Sequence, residues 1–264
     1  MQDLRVALIQ ADLVWEKPNQ NRLDFSKKIV AISQEVDLIV LPEMFNTGFT
    51  MNPNAVAETM DGDTVNWLKN IAKEKNCAIT GSLIIREENK YYNRLVFAFP
   101  PDSCGEVEIR TYDKRHTFTL AGEDKVYTAG KKKLIVEFKG WKICPLICYD
   151  LRFPVWARNT VEYDLLIYVA NWPKTRIAAW DTLLKARAIE NMTYCIGVNR
   201  VGLDFNNYEY VGHSAAYDSL GTNISNLKPS QEAIEIVTLN AQHLKKTREK
   251  LQFLNDRDSF NLSF

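Results

Sequence analysis

Residues Ile143–Pro154 read ICPLICYDLRFP, an apolar run that ends at Ile147 and is followed at once by Cys148. A short apolar run that gives way to a polar turn and a proline is typical of a buried strand leading into a helix, which we predict to begin at about Phe153. Two other predicted strands end in the same way, before Glu43 and before Lys114. Functional residues of open α/β sheets collect beyond the carboxyl ends of strands, so these three positions form a candidate site.

Strands and helices alternate on both sides of this segment, although not strictly. Leu4–Gln10 and Asp37–Leu41 flank the helical pattern Asn21–Ile32, which predicts a βαβ unit. Further strands, hairpins and helices are predicted at Asp63–Lys75 (helix), Cys77–Ile85, Tyr91–Phe99 with Val107–Tyr112 (hairpin), Leu134–Phe138 with Trp141–Ile147 (hairpin), Asp164–Ala170, Arg176–Met192 (helix), Thr193–Asn199, His213–Asp218, Ala233–Leu239 and a polar helix from about Ala241. About ten strands with four or five helices favour an α/β fold of two mixed sheets packed face to face, an α-β-β-α sandwich. The hairpins disfavour an eight-fold barrel.

Composition limits the function classes. The 264 residues carry 33 basic and 33 acidic side chains, so we expect neither a nucleic-acid partner nor a membrane surface. Hydrophobic residues make up 46%, enough for one large core, and no linker divides the chain. We predict a single domain over residues 1–264, with a core at about 4–240 and a C-terminal helix and tail at 241–264. The N-terminus shows no targeting pattern, so we expect a cytoplasmic protein that acts on a small molecule.

The five cysteines, Cys77, Cys104, Cys144, Cys148 and Cys195, lack the spacing of a disulfide framework or a zinc site. We therefore expect no metal. Cys148 at a strand end is the candidate nucleophile: a following helix N-terminus would favour its thiolate, and the backbone N–H of Tyr149 could hold an oxyanion. Cys144 lies mid-strand and belongs to the core. The alternative remains open that Cys148 is only a small buried apolar residue.

The residue types at the three strand ends match one kind of chemistry. A cysteine that attacks an amide needs a base for its proton, an acid for the leaving nitrogen and a cation near the developing oxyanion. Glu43, Lys114 and Cys148 supply these groups, although either charged residue alone could be an ordinary surface group. A Cys-His protease is disfavoured, since none of the three histidines accompanies a protease-type cysteine signature.

Three segments taken in order resemble the signature segments of the nitrilase superfamily of carbon–nitrogen hydrolases: Leu41–Phe45 (LPEMF), Tyr112–His116 (YDKRH) and Cys148–Pro154 (CYDLRFP). The resemblance extends from about Arg5 to the strand that ends at Leu239. Within the superfamily, Val169–Pro173 and Lys185–Asn191 are most similar to bacterial omega-amidases, which hydrolyse the terminal amide of 2-oxoglutaramate and 2-oxosuccinamate.

The resemblance implies a role for each matching residue. Cys148 would be the nucleophile, Glu43 the general base and acid, and Lys114 the oxyanion stabiliser. Glu123, in Leu120–Glu123 (LAGE), matches a second glutamate that orients the lysine and the attacking water. The reaction would need no cofactor, and the family implies a homodimer.

Substrate-binding residues follow less directly. A substrate carboxylate calls for an arginine near the site, and Arg176 at the start of a predicted helix is the candidate. Arg152 is the competitor, for which we expect a structural ion pair with a neighbouring carboxylate. Phe49, Phe118 and Trp172 are expected to wall the pocket.

Three other functions remain open from the sequence. An N-carbamoyl-amine hydrolase or a true nitrilase would use the same catalytic residues, because those residues do not distinguish amide, carbamoyl and nitrile. A catalytically inactive binding scaffold is the remote alternative.

Overall fold

The computed structural model describes residues 1–263, and it consists of two mixed β-sheets packed face to face. The first sheet has six strands in the order β13-β1-β2-β3-β4-β5. These strands are β1 (Leu4–Gln10), β2 (Leu38–Val40), β3 (Ala78–Glu87), β4 (Lys90–Ala98), β5 (Ile109–Asp113) and β13 (Ala233–Leu239). Strands β1, β2 and β3 are parallel, whereas β13 pairs with β1, β4 with β3 and β5 with β4 in antiparallel fashion.

The second sheet repeats this plan with five strands in the order β12-β9-β8-β7-β6. They are β6 (Val136–Phe138), β7 (Trp141–Ile147), β8 (Leu165–Ala170), β9 (Tyr194–Asn199) and β12 (Ala215–Tyr217). Its three central strands are again parallel. A separate hairpin is formed by β10 (Val201–Leu203) and β11 (Glu209–Val211). Each sheet therefore has parallel central strands whose carboxyl ends can carry functional residues.

The helices cover the outer faces of the sheets. They are α1 (Pro18–Val30), α2 (Pro53–Val56), α3 (Asp63–Lys75), α4 (Pro154–Ala157), α5 (Ile177–Asn191) and α6 (Ala241–Leu251). Strand β1 shows how the layers form, because Leu4, Val6 and Leu8 face the second sheet while Ala7 and Ile9 face the helices. Both faces of the strand are buried, which explains its continuous apolar sequence. The result is the predicted single-domain α-β-β-α sandwich.

Helix α5 lies unusually close to the second sheet at Gly197 of β9. A Cβ atom at this position would lie 2.4 Å from Leu184 and 2.6 Å from Trp180, both on α5. Only glycine permits this approach. The contact fixes the start of α5 beside the carboxyl end of β8, where the predicted pocket residues lie.

Most predicted elements are present with ends shifted by one to three residues. The helix expected from about Phe153 is present as α4, with Pro154 at its first turn, but it is only one turn long and is preceded by a 3₁₀ turn at Cys148–Arg152. The hairpin β10–β11 was not predicted, because strands of three residues joined by the polar stretch 204–208 carry no alternating pattern.

No helix within residues 1–263 is both long enough and apolar enough to span a bilayer.

Candidate active site

The ends of three strands converge on one buried point. Glu43 follows β2, Lys114 follows β5 directly, and Cys148 follows β7 directly. Glu123 joins them from a 3₁₀ turn (Glu123–Lys125). Glu43 and Glu123 are fully buried, Lys114 is 1% exposed and Cys148 is 9% exposed. The structure thus brings together all four residues that the motifs predicted as catalytic.

The ammonium of Lys114 lies between the two carboxylates. Its Nζ is 2.9 Å from Oε1 of Glu43, and it is 3.0 Å and 2.9 Å from the two carboxylate oxygens of Glu123. Burial favours the neutral amine, but the charges of Glu123 and Glu43 outweigh it and raise the pKa of Lys114 above its usual value. Lys114 therefore stays a fixed cation.

Glu123 also holds the segment that leads away from Lys114. Its Oε2 accepts a hydrogen bond of 2.5 Å from the backbone N–H of Phe118. Burial, and the nearby charge of Glu43, raise the pKa of Glu123, while Lys114 opposes this shift. Two carboxylates sharing one cation make the site rich in proton acceptors.

A second set of contacts ties Glu43 to the end of β8. The backbone N–H of Asn171 donates to Oε2 of Glu43 at 2.8 Å, and the Asn171 side chain donates to the Glu43 carbonyl at 2.5 Å. These residues are 128 positions apart in the chain. The two sheets are thereby joined by hydrogen bonds at Glu43.

Cys148 has a left-handed backbone conformation with φ of +42°. This conformation is unfavourable for a residue with a side chain and is found mainly where the surrounding structure enforces it. The Sγ atom lies 3.9 Å from the carbonyl oxygen of Asn171. The turn thus holds the thiol at the junction of the two sheets.

The expected thiolate is not supported. Burial, followed by the carboxylate of Glu43, raises the pKa of the Cys148 thiol well above its usual value, against the opposing charge of Lys114. The helix that was to stabilise a thiolate is only the single turn α4. A raised thiol pKa favours the protonated form, so a nucleophilic role for Cys148 would require a base.

Asp150 locks the cysteine turn to the Lys114 segment. Its fully buried carboxylate accepts hydrogen bonds from the Tyr112 hydroxyl at 2.7 Å, the Ile147 N–H at 3.1 Å and the His116 N–H at 3.0 Å. Tyr112 and His116 lie on either side of Lys114 in the chain. Cys148 and Lys114 are therefore held in one rigid unit.

A cavity of about 410 Å³ opens above this group, and Lys114 and Cys148 lie in its wall. Phe49, Phe118, Trp172, Tyr149 and Arg176 also line it, as do other residues of the surrounding loops. The Arg176 guanidinium lies 5.0 Å from the centre of the Phe118 ring. The structure therefore places every predicted pocket residue around the same cavity.

The expected ion pair of Arg152 was wrong. Arg152 lines the cavity, and its guanidinium lies 5.0 Å from the Trp172 ring centre. Neither Arg152 nor Arg176 forms an ion pair with a described carboxylate, up to residue 263. Asp204, the acidic residue in the cavity wall, accepts hydrogen bonds from Asn206, Tyr208 and Tyr210. The cavity therefore offers two unpaired guanidinium groups to an anion.

The cavity has two ends with different character. We call Glu43, Asn93, Lys114, Glu123 and Cys148 the site floor. We call Leu120, Arg152, Arg176 and Tyr208 the mouth, where Leu120 is 79% and Tyr208 is 55% exposed. Sequence reasoning missed Asn93, Asn171 and the hairpin contribution of Tyr208, because none of them belongs to the three motifs and each reaches the site through long-range contacts.

The other described cysteines do not approach this arrangement. Cys144 is fully buried in the hydrophobic core, and burial raises the pKa of its thiol to about 12. Burial likewise raises the pKa of Cys77 to about 12. Over residues 1–263, no group of three or more His, Cys, Asp or Glu side chains is arranged to hold a metal ion.

Comparison with known proteins agrees with the geometry. The carbon-nitrogen hydrolase family model matches residues 5–249. The chain is 42% identical to an omega-amidase, YafV, of Yersinia enterocolitica, over 99% of this chain and 100% of that protein. It is 32% identical to a 2-oxoglutaramate amidase of Bacillus subtilis, over 95% and 96% of the two chains.

Solved structures also resemble this chain in fold. A carbon–nitrogen hydrolase superfamily protein of Xanthomonas campestris, with an arsenic adduct in its active site, superposes with a TM-score of 0.95 at 42% identity, covering 100% of both chains. Saccharomyces cerevisiae Nit3, a nitrilase superfamily member, shares the fold with a TM-score of 0.82 at 23% identity, over 95% and 94% of the chains. The resemblance seen in the three motifs is confirmed: this chain belongs to the carbon–nitrogen hydrolase family.

Proposed function

We propose that this enzyme hydrolyses the terminal amide of small 2-oxo acid amides, such as 2-oxoglutaramate and 2-oxosuccinamate, to the carboxylic acid and ammonia. One observation carries the chemistry: a buried lysine shared by two glutamates lies with a cysteine at the floor of a cavity. The substrate class is supported by the omega-amidase and 2-oxoglutaramate amidase relatives, which align over nearly the whole chain.

Acylation begins with proton transfer, because the Cys148 thiol is protonated at rest. Glu43 accepts this proton as Sγ bonds to the amide carbon and the C=O electron pair moves onto oxygen. The ammonium of Lys114 and the N–H of Tyr149 stabilise the resulting oxyanion. Glu43 then gives the proton to the leaving nitrogen, the C–N bond breaks, ammonia departs and a thioester remains.

Deacylation reverses these roles with water in place of the thiol. Glu43 takes a proton from water as its oxygen attacks the thioester carbon, and the C–S bond breaks after a second tetrahedral intermediate. The proton returns to sulfur. Glu123 orients Lys114 through its two contacts with Nζ and helps to position the water.

Specificity rests on the mouth of the cavity. Arg176 is the proposed ligand of the substrate carboxylate, since its guanidinium faces the cavity without a carboxylate partner among residues 1–263. Its backbone carbonyl accepts a hydrogen bond of 2.8 Å from the Trp172 indole, which holds the start of α5 against the pocket wall. The rings of Phe49, Phe118 and Trp172 exclude water from the reacting amide.

An ammonia-release panel tests the proposal. The purified enzyme is offered 2-oxoglutaramate, 2-oxosuccinamate, N-carbamoyl-β-alanine and a simple aliphatic nitrile. We expect the highest kcat/KM for the two 2-oxo acid amides. Faster turnover of the carbamoyl compound or the nitrile would assign the enzyme to another branch of the family.

We also infer a homodimer, a cytoplasmic location and one domain over residues 1–264. The dimer and the location rest on family resemblance and on the sequence, and the domain limits rest on the absence of a linker. Sedimentation velocity of the purified protein would contradict the dimer if only a 30.4 kDa species were found.

A further inference from the structure

Asn93 lies in the middle of β4, outside all three motifs. Its side chain is 1% exposed, and its residue pairs with Ile84 of β3. The backbone carbonyl of Asn93 accepts a hydrogen bond of 2.9 Å from the N–H of Lys114. The strand that carries Asn93 is therefore fastened directly to the catalytic lysine.

The Asn93 side chain reaches both catalytic carboxylates. Its Nδ2 lies 2.8 Å from Oε1 of Glu43 and 3.2 Å from Oε1 of Glu123. Two glutamates and one lysine otherwise share this closed space, so like charges would push the carboxylates apart. An amide group supplies two N–H donors without adding a charge.

Lys114 alone cannot fix both carboxylates. Its ammonium has three donors that rotate together, and it is also needed at the substrate oxygen. When Lys114 turns toward an oxyanion, the Asn171 N–H still holds Oε2 of Glu43, but Oε1 loses the lysine and needs another donor that does not move. From these contacts we propose that Asn93 is a positioning residue, which holds Glu43 in line with the Cys148 thiol and keeps it apart from Glu123 during both halves of the reaction.

The orientation of the amide is determined by its surroundings. A flipped amide would turn Oδ1 toward two carboxylate oxygens, which is repulsive. In the observed orientation Oδ1 is buried and has no hydrogen-bond partner among residues 1–263. A buried polar atom left unpaired is costly, so this orientation needs a compensating gain, which the contacts of Nδ2 with the two carboxylates supply. The amide oxygen of Asn93 therefore stays unpaired while the amide nitrogen donates to both glutamates.

This inference rests on the roles proposed for Glu43 and Cys148. Its test must therefore distinguish a failure of those roles from a failure of the role proposed for Asn93. The test measures steady-state ammonia release and, independently of any substrate, the rate at which iodoacetamide alkylates Cys148, followed by peptide mass spectrometry. Exposed Cys104 serves as the internal reference in every variant. The variants are Asn93→Ala, Asn93→Asp and Glu43→Gln.

Asn159→Ala is the matched control. Asn159 is fully buried and, like Asn93, donates from its side chain to two oxygens, here the carbonyls of Tyr163 and Asn191 at 2.8 Å and 3.1 Å. It does not line the cavity. A purely structural role for Asn93 would make the two alanine variants alike in melting temperature and in rate.

We expect Asn93→Ala to lower kcat by about 100-fold with KM changed by less than about threefold, and to slow Cys148 alkylation in parallel. Asn93→Asp keeps the shape but places a third carboxyl among Glu43, Glu123, Lys114 and Cys148. Since this carboxyl donates only when protonated, the activity of Asn93→Asp should rise toward acidic pH relative to wild type.

Two results would overturn the inference. One is a kcat for Asn93→Ala within threefold of the Asn159→Ala control, and the other is an Asn93→Asp pH profile parallel to wild type. If Glu43→Gln slows alkylation while Asn93→Ala does not, only the role of Asn93 fails. If Glu43→Gln leaves alkylation unchanged, the proposed base itself is wrong.

Discussion

The floor and the mouth of the same cavity are built in different ways. On the floor, Glu43, Lys114 and Glu123 are at most 1% exposed, and each is held by two or more hydrogen bonds. At the mouth, Leu120 and Tyr208 are more than half exposed, and the side chain of Arg152 contacts the ring of Trp172 and forms no ion pair with any carboxylate of residues 1–263.

This difference separates chemistry from recognition. Strand ends and long-range hydrogen bonds fix the floor, because proton transfer and oxyanion stabilisation depend on distances of about 3 Å. Loops, the start of α5 and the hairpin β10–β11 form the mouth, which can change without disturbing the sheets. We therefore expect substitutions on the floor to act on kcat and those at the mouth to act on KM.

Loss of the nucleophile should have the largest effect. Cys148→Ala removes the only described thiol beside Lys114 and Glu43 within residues 1–263, so we expect turnover to fall by about four orders of magnitude or more. Cys144→Ala, four residues earlier and in the hydrophobic core, should keep most of the activity. Ammonia release by the two variants provides the comparison. Equal losses would contradict the assignment.

Glu43→Gln should have the second-largest effect on turnover. We expect a loss of about two to four orders of magnitude in kcat with the fold retained, because one residue serves as both base and acid. Burial, the largest cause of the raised pKa of the Cys148 thiol, remains in this variant although the Glu43 charge is gone, so alkylation of Cys148 should be slow at neutral pH and should accelerate as the pH becomes alkaline. Circular dichroism checks the fold. Activity within tenfold of wild type would make Glu123 the prime candidate for the base.

A substitution at the mouth should have a smaller and different effect. Arg176→Ala removes a charge-assisted contact of about 2 kcal/mol, so KM for 2-oxoglutaramate should rise roughly 30-fold while kcat changes little. An uncharged amide of similar length should be nearly unaffected. Arg152→Ala, at the exposed arginine of the same cavity, is the matched variant, and we expect a smaller rise in KM for it. If KM rises equally for charged and uncharged substrates, the role of Arg176 is structural.

Treatment with a metal chelator should have no effect on activity. Incubation with a chelator, followed by ammonia-release assays, should leave kcat and KM unchanged, because the proposed charge stabilisation comes from Lys114 and Tyr149. Loss of activity that added zinc restores would contradict the mechanism on the floor.

Local patterns in the chain were enough to find the sandwich and the three motif residues. Apolar runs of strand length mark the buried strands, and a reactive side chain immediately after such a run lies at a sheet edge whatever the packing. The positions of Glu43, Lys114 and Cys148 could be identified for this reason. The aromatic wall residues followed because they are close neighbours of the motifs in the chain.

Tertiary packing determined the remaining features of the site. The protonated state of Cys148 depends on burial and on a carboxylate 105 residues away in the chain, neither of which a local pattern carries. The contact of Asn93 with Glu43 forms only once the first sheet is assembled, and the contact of Asn171 with Glu43 forms only once the two sheets meet. The unpaired Arg152 and the hairpin at the mouth likewise follow from tertiary packing. Electrostatic environment and long-range hydrogen bonds are properties of the assembled core, so the tertiary structure alone could reveal how the site is held and charged.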